Sequence, residues 1–184
     1  MCIRDSERYF NEFSIFETAQ VFRDENYTSP YDPREKLPSQ RKNVAGAFAT
    51  TDKDITALFR KAKGVVEMMA RYVHMETLTF RQTEKPVWAD NVVWLNIYRG
   101  DEKVGDLALL AKKVSMACGI KNMNVMLFQL DQDSLVPLKS RTNTFTHLAE
   151  YPMTDYDISL LVDGSVQWKD VAQTVRGIKS ELLH

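Results

Sequence analysis

Residues 91–110, NVVWLNIYRGDEKVGDLALL, decide what kind of fold this chain can adopt. NVVWLNIY is rich in β-branched and aromatic side chains, VGDLALL is again apolar, and the polar RGDEK between them carries Gly100. Two strand-like runs joined by a short glycine-bearing turn predict a hairpin, and with it an antiparallel sheet.

The flanking segments extend that sheet. NVMLFQLD (124–131) alternates, with Met126, Phe128 and Leu130 on one face and Leu127 and Gln129 on the other, so a further strand is predicted there. AKKVSMACGI (111–120) suits a helical turn and METLTF (75–80) a short strand. FSIFETAQVF (13–22) predicts a strand buried on much of both faces, and NVAGAFATT (43–51) an extended small-residue strand. Between them lies RDENYTSPYDPREKLPSQRK (23–42), whose Pro30, Pro33 and Pro38 predict an exposed loop. One long helix follows: Thr51 and Asp54 have the spacing of a capping box, and Ile55, Leu58, Phe59, Ala62, Val66, Met69 and Val73 form its apolar stripe.

After about Asp131 the pattern changes. SLVPLKSRTNTFTHLAEYP (134–152) is polar, carries Pro137 and Pro152 and lacks periodicity, which marks a boundary. Beyond it Ile158, Leu160 and Val162 alternate with polar residues up to Asp163-Gly164, predicting a strand and a tight turn. Ser165 then caps a helix whose apolar side is Trp168, Val171, Val175, Ile178 and Leu182. The chain is therefore an α+β protein, mostly antiparallel, with a second unit that starts and does not close on itself.

Composition excludes several classes. With 24 Lys and Arg against 25 Asp and Glu the net charge is -1, so no global basic field draws nucleic acid and any RNA site must be local. Cys2 and Cys118 are too few for a disulfide framework or a zinc site, which points to a reducing, cytoplasmic setting. No apolar run approaches the roughly 18 residues that span a bilayer. The opening MCIRDS is expected to be an adapter-derived scar over residues 1–6, and the chain a fragment of a longer one.

Catalytic chemistry is sparse. Gly100 and Gly105 in GDEKVGD have P-loop spacing, but Asp106 stands where a lysine is needed and the turn explains both glycines. His74, His147 and His184 fit no metal-ligand pattern. Asp131 and Asp133 read as helix caps, Asp155, Asp157 and Asp163 as the solvent side of a strand. Arg60, Lys61 and Lys63, like the smaller pair Lys112 and Lys113, read as a solvated helix face. Trp88, Trp94 and Trp168 are candidates for stacking on bases, with the core as the nearer home for Trp94 and Trp168.

Five phrases together resemble one family, the bacterial phenylalanyl-tRNA synthetase beta subunit. FSIFETAQVF is similar to its F-x-I-F-E-I-G-x-V-F at Phe16, Glu17, Val21 and Phe22. FRKAKGVVEMMARYV, following RKNVAGAFA, is similar to D-L-K-G-x-V-E-x-L at Lys63, Gly64, Val66 and Glu67. VGDLALL resembles V-G-x-L-G-x-L, and VMLFQLDQDSL resembles V-x-x-F-E-L-D-L-D-x-L. EYPMTDYDISLLVD resembles F-P-S-V-x-R-D-L-A-L-V-V-D through Pro152, Asp157, Leu160, Val162 and Asp163.

The resemblance implies a class II synthetase-like, catalytically silent module over residues 7–137, a linker at 138–150, and the first strand and helix of a ferredoxin-like anticodon-binding domain at 151–184. It implies an alpha subunit as partner, tRNA(Phe) as substrate of the assembly, and ATP with Mg2+ as the assembly's cofactors rather than this chain's. No catalytic or metal residue is expected, and the class II G-x-G-x-x-R is missing from the sequence. Asp155 and Tyr156 replace the basic residues that precede the aspartate in the family, so Lys139, Arg141, Lys169, Arg176 and Lys179 are the expected tRNA contacts. The rival expectation is a free-standing RNA- or protein-binding module on the same fold.

Overall fold

The computed structural model describes residues 3–28, 34, 36–73, 76–135, 145, 154 and 156–178. Two compact units emerge, Met1–Asn143 and Thr144–His184. In the first, α1 (Ile3–Ser6), β1 (Glu12–Thr28), β2 (Lys36–Thr50), α2 (Ile55–Tyr72), β3 (Thr79–Arg81), β4 (Ala89–Arg99), β5 (Glu102–Leu110), α3 (Lys112–Ala117), β6 (Asn124–Asp131) and α4 (Gln132–Leu135) follow in turn. The strands make one antiparallel sheet in the order β1-β2-β6-β5-β4-β3.

The hairpin expected at 91–110 is β4 and β5. Arg99 faces Glu102, and Gly100 takes the left-handed φ of 55° that so short a turn requires. The alternation of β6 sorts its side chains as expected. Met126, Phe128 and Leu130 are buried under α2, which presents Leu58, Ala62, Val66 and Ala70. Each such Leu or Val contributes about 1.5–3 kcal/mol by leaving water. On the opposite face, Val125 joins Ala47, Ala49, Ile120 and Met123, with Ile3 of α1 packed against them. Residues 3–6, set aside in the sequence, thus form a helical turn on this cluster, and the Glu7 carboxylate accepts from the amides of Lys121 and Asn122.

Four expectations are corrected. FSIFETAQVF is an edge strand, not one buried on both faces: Phe16 is 82% exposed, because β1 has a neighbour on one side only and α2 packs over the strands further in. Within the expected loop at 23–42, residues 23–28 and 36–42 instead continue β1 and β2 outward as a ribbon. Pro38 is tolerated there, since it sits opposite Asn26 beside a bulge and β2 gains its second neighbour, β6, only from Asn43. The cap of α2 is Asp54 itself, whose carboxylate accepts from the amides of Thr56 and Ala57 at 2.9 and 3.1 Å.

The fourth lies in the second unit. Residues 156–162 form no strand, and Ile158, Leu160, Leu161 and Val162 are all exposed. A strand needs a neighbour to receive its backbone bonds, and alternation alone supplies none. The helix does form, as α5 (Trp168–Arg176), but Ser165 does not cap it. Its hydroxyl and then its amide donate to Asp163 at 2.6 and 2.9 Å, which holds the Asp163 carboxyl below the ordinary aspartate value. Trp168, expected in a core, is exposed.

Two outcomes follow from the packing. A Cβ on Gly46 would lie 2.2 Å from the Phe128 ring, itself buried in the core, so Gly46→Ala is expected to cost about 1–3 kcal/mol in urea unfolding monitored by fluorescence. Amides of residues 156–162 are expected to exchange with solvent at near-random-coil rates in hydrogen–deuterium exchange, while those of β6 are protected to the global unfolding limit.

Candidate functional site

With α2 packed on one face of the sheet, the polar side chains of the central strands gather on the other. The register aligns one residue from every strand across that face: Glu17, Ala45, Gln129, Asp106, Asn96 and Arg81. The next row is apolar, with Ile15, Ala47, Leu127, Ala108 and Trp94. Trp88, half-buried at the end of the β3–β4 connection, joins Ile15, Ala45, Ala47 and Leu127 in a groove of about 550 Å³. A more polar groove of about 410 Å³ adjoins it through Gln129 and contains Arg41, Lys103, Asp106 and Asp131.

Asn96 is fully buried at the centre of the row. Its carboxamide oxygen accepts from the Thr83 amide and hydroxyl at 3.0 and 2.8 Å and from the Glu84 amide at 3.0 Å. Its nitrogen donates to the Glu84 carbonyl at 2.8 Å and to Asp106 Oδ1 at 2.6 Å. Asp106, also buried, accepts from Gln129 at 3.3 Å and holds the Lys103 ammonium at 2.9 Å. The Thr83 hydroxyl shares a 2.8 Å bond with Tyr98. The Asn96 amide has every donor and acceptor engaged and each Asp106 oxygen has a partner, so the network ties the β3–β4 connection to the sheet.

The cations of this face are also engaged. Arg41 pairs with Asp131 at 3.1 Å and Lys103 with Asp106. Arg81 bonds the Gly100 carbonyl and Asp101 and stacks on Tyr98. Among the described residues no group of three or more His, Cys, Asp or Glu is placed to hold a metal.

Most residues singled out in the sequence lie elsewhere. Asp131 caps α4 by accepting from the amides of Asp133 and Ser134, as expected. Lys61 and Lys63 pair with Glu12 and Glu67. Lys169 and Arg176 are exposed on α5, one on each of its first and last turns. Lys139, Arg141, Lys179 and the three histidines fall outside the described residues. Sequence reasoning missed Thr83, Asn96 and the part Asp106 plays. A polar residue between two aromatic ones on the same strand face, as Asn96 is between Trp94 and Tyr98, was the available signal.

An antiparallel six-stranded sheet with this order and one helix-covered face is that of the class II aminoacyl-tRNA synthetases. A solved pyrrolysyl tRNA synthetase from Desulfitobacterium hafniense superposes with a TM-score of 0.55 over 72% of this chain and 44% of its own, at 12% identity, a likeness of fold alone. The family model described as the phenylalanyl tRNA synthetase beta chain CLM domain matches residues 4–132, and the chain belongs to that family. A phenylalanine–tRNA ligase beta subunit of Oceanobacillus iheyensis is 25% identical over 181 residues, 94% of this chain and 21% of its own length. Another, from Francisella tularensis subsp. tularensis, is 28% identical over 100 residues, 51% of this chain and 12% of its own. The chain thus spans about a fifth or less of these relatives. No described helix is long and apolar enough to cross a membrane.

Replacing Asn96 by Ala leaves two amides and the Glu84 carbonyl without their partner and takes one donor from Asp106. It is expected to destabilise the chain by about 3 kcal/mol in denaturant titration and to loosen the β3–β4 connection, read as faster amide exchange at Thr83 and Glu84.

Proposed function

We propose that this chain is the catalytically silent module of a phenylalanine-tRNA ligase beta subunit, supporting ATP-dependent attachment of phenylalanine to tRNA(Phe) in the cytoplasm by scaffolding the catalytic alpha subunit. The observation that carries this reading is the closed polar row: on the face where a synthetase fold would do its chemistry, Asn96, Asp106 and Lys103 satisfy one another. ATP and Mg2+ belong on this reading to the alpha subunit. The exposed cations Lys169 and Arg176 are the surviving described candidates for contact with the tRNA backbone, a sequence-independent attraction that weakens with salt.

A beta subunit containing these residues, purified with its alpha subunit, is expected to charge tRNA(Phe) when neither chain does so alone. Asp106→Asn keeps the side-chain size while removing the charge, and is expected to leave kcat within about twofold, since an interaction made only in the transition state is what kcat reports. A loss of about a hundredfold in an intact, assembled enzyme would instead make this face catalytic.

A further inference from the structure

On the flank of α2 nearest β1, Val65, Met68 and Tyr72 are 39%, 37% and 76% exposed, and Phe16 of β1 lies on the same side of the sheet. Two apolar grooves, of about 320 and 420 Å³, share Val65 and Met69; one reaches down to Phe16 and the other crosses Gly64 to Tyr72. The result is a continuous apolar strip on the outside of the first unit. Contiguous exposed apolar surface of this kind marks a contact site more often than it marks bare surface.

Gly64 adds an independent reason. It lies inside α2, opposite the buried stripe, and a Cβ placed on it would meet no atom. Nothing within the fold requires a glycine there, and glycine weakens a helix interior. A second helix crossing at that point would use the missing side chain to come close. The rim carries one unpaired charge, and it is positive: Arg60 is exposed with no ion pair among the described residues, whereas the Lys61 ammonium pairs with Glu12. An unpaired cation at the rim attracts an acidic partner.

We propose that this strip seats an amphipathic helix of the alpha subunit, apolar where it meets Val65, Met68 and Tyr72 and acidic opposite Arg60, crossing α2 at Gly64. The assignment rests on the scaffolding reading above and names the surface that performs it. Helix-in-groove recognition draws its affinity from a few such anchors and its register from the rim charge.

The test is titration calorimetry of this chain against its cognate alpha subunit, with Met68→Asp, Gly64→Gln and Arg60→Glu as variants and circular dichroism confirming that each is folded. Met68→Asp and Gly64→Gln are expected to weaken binding at least tenfold. Arg60→Glu is expected to weaken it severalfold, an effect that fades at about 1 M salt, where charges are screened within roughly 3 Å. Wild-type affinity in all three variants would overturn the strip as the interface and leave the scaffolding reading standing. No binding by the wild-type chain would remove both. Sedimentation showing a dimer of this chain that Met68→Asp dissolves would assign the strip to a second copy and overturn the proposal.

Discussion

Strand β6 is bonded on both sides, to β2 and to β5, and one of its faces has to be dry. Met126, Phe128 and Leu130 meet that demand only if they all point toward α2, and a shift of one residue against either neighbour would exchange them for Val125, Leu127 and Gln129. The register of the central ladder is therefore fixed by burial. Gly46 reinforces it, because the Phe128 ring occupies the space a side chain would need directly across the β2–β6 pair. The position of every other strand in the sheet is measured from this one.

Once that register is set, the polar row on the opposite face is set too. Gln129 falls beside Asp106 and Asp106 beside Asn96 because their neighbours of opposite parity are the core. Burying an amide and a carboxylate is costly unless each bond is made. Here the residues themselves complete the set, with Lys103 neutralising Asp106 and the Thr83–Glu84 backbone filling the valences of Asn96. The fold is shared with catalysts, but a site and not a fold decides chemistry, and in this row Asn96, Asp106 and Lys103 hold one another.

The second unit behaves differently for the same physical reason. Ile158, Leu160 and Val162 have the pattern of a strand, yet pattern only states which side would be buried. α5 forms because a helix satisfies its own backbone, whereas residues 156–162 pair with no strand among the described residues. Asp163 and Ser165 complete the local turn by themselves, which is all that a short polar segment can do alone.

What the sequence determined by itself was local. The β4–β5 hairpin with Gly100, the stripe of α2, the two faces of β6 and the capping role of Asp131 are set by periods of 2 and 3.6 and by turn chemistry within a few residues. The five phrases were equally legible and led to the family that the chain belongs to. Tertiary structure alone decided that β1 would be an edge, that Pro38 could sit in a strand, and that Glu17, Gln129, Asp106 and Asn96 would share one row. Those facts depend on which strands become neighbours and in what register, a choice made by burial across the whole sheet, to which no single segment holds the information.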